Sequence, residues 1–199
     1  MPSALLRALA SVTRSLDELD IPYCVVGSLA SSSWGVERTT LDADLTAELT
    51  LADVPRLSEA FGEEFYADQE MIRGAIESRA SFNLIHLGTM DKVDVFITPE
   101  SPWEGERMRR RVRAPIHPAD LETQVWMATA EDVVLHKLLW YQMSGGVSER
   151  QWGDIQGVLR VQASALDLAY MRRWAPDLGV TDLLERALSD AGFEGVGDE

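Results

Sequence analysis

The chain has 199 residues, of which 46% are hydrophobic, and 18 Lys and Arg against 33 Asp and Glu give a formal net charge of −15. This acidity disfavours nucleic acid as a general partner, because duplex binding draws most of its affinity from the neutralisation of phosphates. A single cysteine, Cys24, excludes an internal disulfide, and no apolar run approaches the roughly 20 residues that span a bilayer. We therefore expect one domain, or one with a modest appendage, in a soluble cytoplasmic protein without a membrane partner.

The first part of the chain combines helical and strand patterns. Apolar residues at helical spacing predict a helix over residues 4–19, and Pro22 prevents its continuation. Ser28 opens a short helix that ends at Gly35. The apolar run that follows Pro22 predicts a buried strand at 22–26. Periodicity predicts two more helices, at 51–62 and 68–78, and three strands, at 40–46, 81–87 and 92–98, of which the last two form a hairpin.

The later part of the chain has a different character. Residues 101–124 are predicted to be rich in loops, and they contain five arginines between Arg107 and Arg113, termed here the arginine run. From Thr129 onward the chain is predicted to be helical, beginning with the capping box Thr-Ala-Glu-Asp of a helix that ends near Met143. Three further helices are predicted after it.

These patterns predict an α+β fold class. Residues 1–115 would form an α/β core, a small mixed sheet flanked by helices. Residues 116–199 would form a C-terminal helical region packed on that core. The sequence contains no internal repeat of the kind that is typical of a solenoid or an array.

Asp42 and Asp44 are one residue apart in the second predicted strand. Because side chains alternate along a strand, both project from the same face. Adjacent carboxylates repel each other unless divalent cations lie between them, and Mg²⁺ takes hard oxygen ligands of this kind. Two such ions can hold a phosphoryl group and activate its attacker. Taken alone, the motif is also typical of an exposed strand without metal.

Asp94 is a candidate third carboxylate. It lies in mid-strand among apolar residues, an unusual position for a charge unless a cation receives it. A four-residue turn in the hairpin would pair Asp94 with Ile85 and place it on the face of Asn83 and Ser81, whereas a five-residue turn would reverse the face. The alternative for Asp94 is an edge-strand charge that protects against aggregation.

Gly27 and Ser28 end the first predicted strand and open a helix. The N–H groups and the dipole at a helix N-terminus attract phosphate, glycine permits close approach, and a serine hydroxyl adds a donor. Arg38, just before the acidic strand, is a candidate for a more distant phosphate. An ordinary turn and a surface charge are the alternatives for these residues.

Together these residues resemble the nucleotidyltransferase superfamily, in which a hydrophobic-Gly-Gly/Ser motif precedes Asp-x-Asp on a strand and a third Asp on a later strand. The stretch VVGSLASSSWGVERTTLDADL is most similar to the AbiEii-type branch, which includes nucleotidyltransferase toxins of toxin–antitoxin pairs. Gly27 and Ser28 match the phosphate-binding motif, and Arg38 matches the basic residue before the acidic strand. Asp42 and Asp44 match the metal pair, and Asp94 matches the third carboxylate.

A helical motif extends the resemblance. That branch has a lysine followed by an Arg and an Asp that lead into an apolar helix, and Lys137, Arg150 and Asp154 are in the matching places. Gly153 departs from the pattern, since the branch commonly has a basic residue before the Asp. From the residues alone, a lysine that extends its ammonium to solvent is the alternative for Lys137.

The resemblance implies a nucleotidyltransferase-like fold and the Mg²⁺-dependent transfer of a nucleoside monophosphate from an NTP such as ATP, with two ions in the site. The acceptor is left open among RNA, protein and small molecule, and an antitoxin is an implied partner if the protein is a toxin. The implied metal ligands are Asp42, Asp44 and Asp94, which are also catalytic together with Lys137. The implied nucleotide-binding residues are Gly27, Ser28, Arg38, Lys137 and Asp154.

Two other functions are consistent with the same residues. A catalytically inactive nucleotide- or protein-binding module is one, although a binder does not need to keep three mutually repelling acids together. A metal-dependent phosphohydrolase is the other, and it would label no acceptor. The arginine run is a candidate seat for an RNA acceptor, with a solvated face paired to the excess carboxylates as the alternative.

Overall fold

The computed structural model describes residues 3–117 and 120–193. Its helices are α1 (Ala4–Glu18), α2 (Gly27–Trp34), α3 (Val54–Phe61), α4 (Gln69–Ser78), α5 (Pro102–Arg110), α6 (Ala130–Met143), α7 (Glu149–Gln162), α8 (Leu168–Trp174) and α9 (Thr181–Asp190). Its strands are β1 (Tyr23–Val26), β2 (Asp42–Ala47), β3 (Phe65–Tyr66), β4 (Ser81–His86), β5 (Lys92–Ile97), β6 (Val112–His117) and β7 (Asp120–Met127). Within the described ranges, no helix combines the length and the apolar character that crossing a membrane requires.

The strands form one mixed sheet in the order β3-β4-β5-β2-β1-β7-β6. The pairs β2–β5 and β1–β7 are parallel, and the other neighbours are antiparallel. The mixed sheet with flanking helices confirms the predicted fold class. All four predicted strands are present, each within two residues of the expected bounds.

The core of the sheet lies on one face of β2 and β5. Ser3 caps helix α1 by accepting a hydrogen bond from the backbone N–H of Leu6, and the helix contacts both strands. Apolar side chains at alternate positions of the two strands are buried, and the aspartates of the predicted site occupy positions between them. The buried residues of α1, β2 and β5 include Leu9, Val12, Leu16, Ala43, Leu45, Val93 and Val95.

The prediction that residues 101–124 are rich in loops is wrong. This stretch holds α5, which Ser101 caps by accepting a hydrogen bond from the Glu104 N–H, and most of β6 and β7. Alternation in β6 rests on two buried apolar residues, Ala114 and Ile116, between polar or charged neighbours. A strand with so few apolar residues is hard to distinguish from a charged loop by periodicity.

The described residues divide into two compact units. One comprises those up to Leu29 and from Thr39 to Ala128, and the other comprises Ala30–Arg38 and those from Thr129 onward. The first unit thus extends past the predicted boundary at residue 115, since β6 and β7 belong to its sheet. A core of residues 1–115 with a helical region of 116–199 packed on it stays a prediction, and residues 118–119 and 194–199 of that region lie outside the described ranges.

Candidate active site

The register of the central strands brings the three predicted carboxylates onto one face of the first unit. In the parallel pair of β2 and β5, Asp44 is opposite Asp94, and Asp42 is opposite Lys92. Residues opposite each other on neighbouring strands share a face, and the strands of a sheet lie about 4.8 Å apart. Asp42, Asp44 and Asp94 therefore form one group, referred to below as the carboxylate face.

The hairpin places Asp94 on the face that a four-residue turn would give, but opposite a different residue. Asp94 pairs with Asn83, whereas Ile85 pairs with Lys92. The connection between the last paired positions is therefore residues 86–91, two residues longer than the assumed turn. An even change in loop length shifts the register by two positions and keeps the face, since side chains alternate with period two. The expected partner was wrong and the expected face was right.

Gly27 brings the start of α2 against Asp44. It follows β1, in which Val26 is opposite Asp44, and its φ of +65° lies in the left-handed region that favours glycine. A Cβ atom at Gly27 would be only 2.1 Å from Oδ2 of Asp44. Only a glycine allows this close approach of backbone and carboxylate, and Ser28 follows it as the second residue of the helix.

Lys92 is a member of the carboxylate face that the sequence reasoning missed. Its Nζ is 2.7 Å from Oδ2 of Asp94. The hydrogen bond to Asp94 raises the pKa of the Lys92 ammonium, and the negative charges of Asp94, Asp42 and Asp44 add to this effect. The available signal was its parity, because Lys92 is two residues before Asp94 and so projects from the same face of the strand.

The carboxylate face fits a divalent cation by its chemistry. Its donors are all carboxylate oxygens, the ligands that Mg²⁺ prefers, and Oδ1 of Asp94 is buried without a hydrogen-bond partner. In the described part of the chain, however, no three His, Cys, Asp or Glu side chains already surround one point as a metal centre does. The other oxygen of Asp94, Oδ2, is held by Lys92, so a metal ion that binds this oxygen has to displace the ammonium.

The second unit brings the other predicted residues together around Asp154. The Arg38 guanidinium donates two hydrogen bonds to it, from Nε to Oδ1 and from Nη2 to Oδ2, both of 2.7 Å. Lys137 donates from Nζ to Oδ2 of Asp154 at 2.8 Å and to Oε1 of Gln151 at 3.1 Å. Lys137 is 5% exposed, so it is a buried, ion-paired lysine rather than one that extends to solvent. Arg150 is exposed at the start of α7.

The two cations control the charge of Asp154. Burial by itself would raise the pKa of this carboxyl, but hydrogen bonds from Arg38 and Lys137 and their positive charges outweigh it and hold the pKa below its usual value. Asp154 is therefore ionised at neutral pH. It fixes the positions of both basic side chains at once.

Of the arginine run only Arg107 lies in the interior of the first unit, whereas Arg109 and Arg113 are exposed and form ion pairs. Arg107 is fully buried, where it bonds to Glu104 and to Thr46. Arg113 is 3.1 Å from a carboxylate oxygen of Asp17, and its guanidinium lies 4.7 Å from the ring centre of Trp126. These contacts use positive charge that an RNA acceptor would require.

The sequence matches no protein-family model, and no curated protein matches it significantly. Solved structures do resemble the chain. The complex of ANT(2″)-Ia with adenylyl-2″-tobramycin matches with a TM-score of 0.58 at 10% identity, over 89% of this chain and 98% of that one. The antibiotic-resistance factor ANT(2″)-Ia in solution gives 0.54 at 13% identity, over 96% of both chains.

A third solved structure gives a similar result. An antigenic nucleotidyltransferase-like protein from Paracoccidioides brasiliensis matches with a TM-score of 0.53 at 21% identity, over 96% of this chain and 93% of that one. At such identities the likeness concerns the architecture and not the chemistry. The chain has a nucleotidyltransferase-like fold.

Proposed function

We propose that this protein is a Mg²⁺-dependent nucleotidyltransferase that moves a nucleoside monophosphate from an NTP to an acceptor. The observation that supports this proposal most strongly is the carboxylate face, in which Asp44 and Asp94 are opposite each other and Gly27 abuts Asp44. Like charges directly opposite on neighbouring strands are destabilising. A structural role gives no reason to keep them together, whereas a cation-dependent reaction does.

The proposed reaction begins with an acceptor hydroxyl oxygen that attacks the α-phosphorus of the NTP. The bond from this phosphorus to the oxygen that bridges it to the β-phosphorus breaks, and pyrophosphate leaves. The hydroxyl proton passes to Asp94, whose Oδ1 has no hydrogen-bond partner within the described residues. Asp42, Asp44 and Asp94 would hold Mg²⁺, which when bound neutralises phosphate charge and polarises the reacting oxygens.

The remaining predicted residues are assigned to the nucleotide. Gly27 and Ser28 place the positive end of the α2 dipole where a phosphate is favoured. Lys137 and Arg38 are assigned to phosphate charge, with Lys137 stabilising the leaving group. Asp154 acts through these two cations, because a carboxylate that accepts three hydrogen bonds from them positions them rather than binding an anionic nucleotide itself.

A small molecule with a free hydroxyl is the acceptor class that we favour. The net charge of −15 attracts cationic compounds, and the arginine run is engaged within the chain. One fold neighbour was solved with adenylyl-2″-tobramycin, a nucleotidylated small molecule. A toxin of the AbiEii type, with a protein or RNA acceptor and an antitoxin partner, is the second candidate and rests on the sequence motif alone.

Calorimetric titration tests the proposal. We expect Mg²⁺-dependent binding of one or more of the four NTPs to the wild type and none to Asp42→Asn/Asp44→Asn. The charge-matched control is Glu70→Gln/Glu100→Gln, which removes two exposed carboxylates elsewhere and should bind as the wild type does. If the Asn double variant binds NTP as well as the wild type, the catalytically inactive binding module is the correct function. An NTP labelled at its α-phosphate separates a transferase from a phosphohydrolase. A transferase releases pyrophosphate and passes the label to an acceptor, whereas a phosphohydrolase labels no acceptor.

A further inference from the structure

Lys92 takes the place of a cation on the carboxylate face. We propose that it is a built-in counter-ion, which a divalent metal must displace from Asp94, so that metal binding is weak until the nucleotide arrives. This inference rests on the proposed function, because it takes the carboxylate face as the metal site. It adds to that function a role for Lys92, which would couple the binding of the metal ion to the binding of the nucleotide.

The position of Lys92 is the first support for this inference. It is opposite Asp42 in the parallel register, while its ammonium reaches along its own strand to Oδ2 of Asp94 at 2.7 Å. The ammonium of Lys92 is thus in contact with one acid of the carboxylate face, and its backbone is opposite a second. A cation bound to the same carboxylates would repel the ammonium directly.

The exposure of the Lys92 and Asp94 side chains is the second support. The Lys92 side chain is 41% exposed, whereas that of Asp94 is 14% exposed. A lysine has a flexible four-carbon stem and a compact charge, so it can turn to solvent without disturbing the strand. Asp94 cannot move away as easily, and its buried Oδ1 lacks a partner while Lys92 occupies Oδ2. The mobile partner of this ion pair is the lysine.

The rarity of lysine in this chain is the third support. Of its 18 basic residues only two are lysines, Lys92 and Lys137, and both bond to predicted site residues. An arginine at position 92 would hold the carboxylate with a planar, bidentate fork and release it less readily. Once displaced, the ammonium of Lys92 becomes available to the incoming phosphates. Metal and nucleotide then assist each other's binding.

Mn²⁺ titration, followed by the loss of the free-ion EPR signal, tests the inference without using activity. In the absence of nucleotide, we expect Lys92→Met to bind Mn²⁺ roughly five- to tenfold more tightly than the wild type. Lys92→Arg keeps the charge and should bind Mn²⁺ no more tightly than the wild type. Arg79→Met removes one positive charge at an exposed pair with Glu100 in the same unit, so it controls for net charge and should leave the affinity unchanged.

Two further readouts separate this inference from the proposed function. Addition of an NTP should tighten Mn²⁺ binding more in the wild type than in Lys92→Met, because the variant has no ammonium to displace. Equal Mn²⁺ affinity in the wild type and Lys92→Met, with loss of binding in Asp42→Asn/Asp44→Asn, would overturn the inference and leave the proposed function standing. Absence of Mn²⁺ binding in every variant, with and without NTP, would overturn both. Circular dichroism melting confirms that each variant is folded.

Discussion

Asp44 is directly opposite Asp94 in the parallel pair of β2 and β5, with Gly27 in contact with the Asp44 carboxylate. This relationship joins two features that are far apart in the sequence, a glycine at a strand end and an acid in a hairpin. It limits which substitutions the first unit can accept, because backbone and carboxylate share one small space.

Gly27→Ala should disrupt this arrangement. The new Cβ would lie 2.1 Å from Oδ2 of Asp44, and the φ of +65° is unfavourable for alanine. We expect a loss of unfolding free energy of about 1–3 kcal/mol and loss of NTP binding. Urea denaturation and calorimetry provide the two measurements.

Gly74→Ala is the matched control for that variant. Gly74 lies inside α4, and no heavy atom is within 4 Å of the position of its Cβ. Alanine should there stabilise the protein by roughly 0.5–1 kcal/mol and leave NTP binding unchanged. A Gly27→Ala variant as stable as Gly74→Ala would contradict the close approach described here.

Lys137→Met should reduce transfer without unfolding the second unit. The Arg38–Asp154 pair keeps its two hydrogen bonds in this variant, so the carboxylate retains a cation. Loss of one preorganised cation typically lowers kcat by about 10²–10³-fold. Steady-state kinetics of pyrophosphate release provide the measurement. Gln151→Ala, which removes a neutral hydrogen-bond partner of Lys137, is expected to have a far smaller effect.

Asp154→Asn should lower the free energy of unfolding strongly at neutral pH and less in acid. Removing the anion leaves Arg38 and Lys137 without their shared counter-charge, and breaking such a buried pair typically costs about 3–5 kcal/mol. The pKa of Asp154 is lowered in the folded state, so its contribution to stability is present above the unfolded value of about 3.9 and is lost as the pH falls through the folded value. The stability difference between wild type and variant should therefore shrink below about pH 4.

Urea denaturation at pH 7, 5 and 3 measures this dependence. Glu185→Gln is the control, because Glu185 forms a comparable pair with Arg172 on the surface, where both side chains are nearly half exposed. Exposed pairs contribute at most about 1 kcal/mol, so this variant should resemble the wild type. A pH-independent difference for Asp154→Asn would show that its charge is not what matters.

Tyr23 should make the protein sensitive to alkali. Burial in β1 raises the pKa of Tyr23 to about 12, although a hydrogen bond from the backbone of Trp126 opposes the rise. The unfolded chain ionises near pH 10, so the stability that neutral Tyr23 provides is intact below about pH 10 and is lost as the pH rises toward the folded value. Denaturation from pH 9 to 12 should show this loss, reduced in Tyr23→Phe. Absorbance at 295 nm follows the ionisation directly.

Four strands, β1, β2, β4 and β5, were predictable from the sequence, and so was the shared face of the aspartates, because alternation in β2 and β5 is regular and fixes side-chain parity. The partner of Asp94 was not, since it depends on a connection whose length alternation does not determine. Nor were β6 and β7, in which charged residues conceal a short apolar pattern. Parity places Lys92 on the same face, but its ion pair with Asp94 depends on a side-chain conformation that parity does not determine. The catalytic and binding roles of the site residues stay predictions.

Residues 30–38 belong to the second unit although they precede most of the first. A fragment that starts at Thr129 would therefore lack Arg38, and with it two of the three cationic hydrogen bonds to Asp154. A single cut or recombination point after Ala128 would keep the first unit whole but divide the second, because residues 30–38 would stay with the first fragment. The two are expected to be inherited, expressed and lost together.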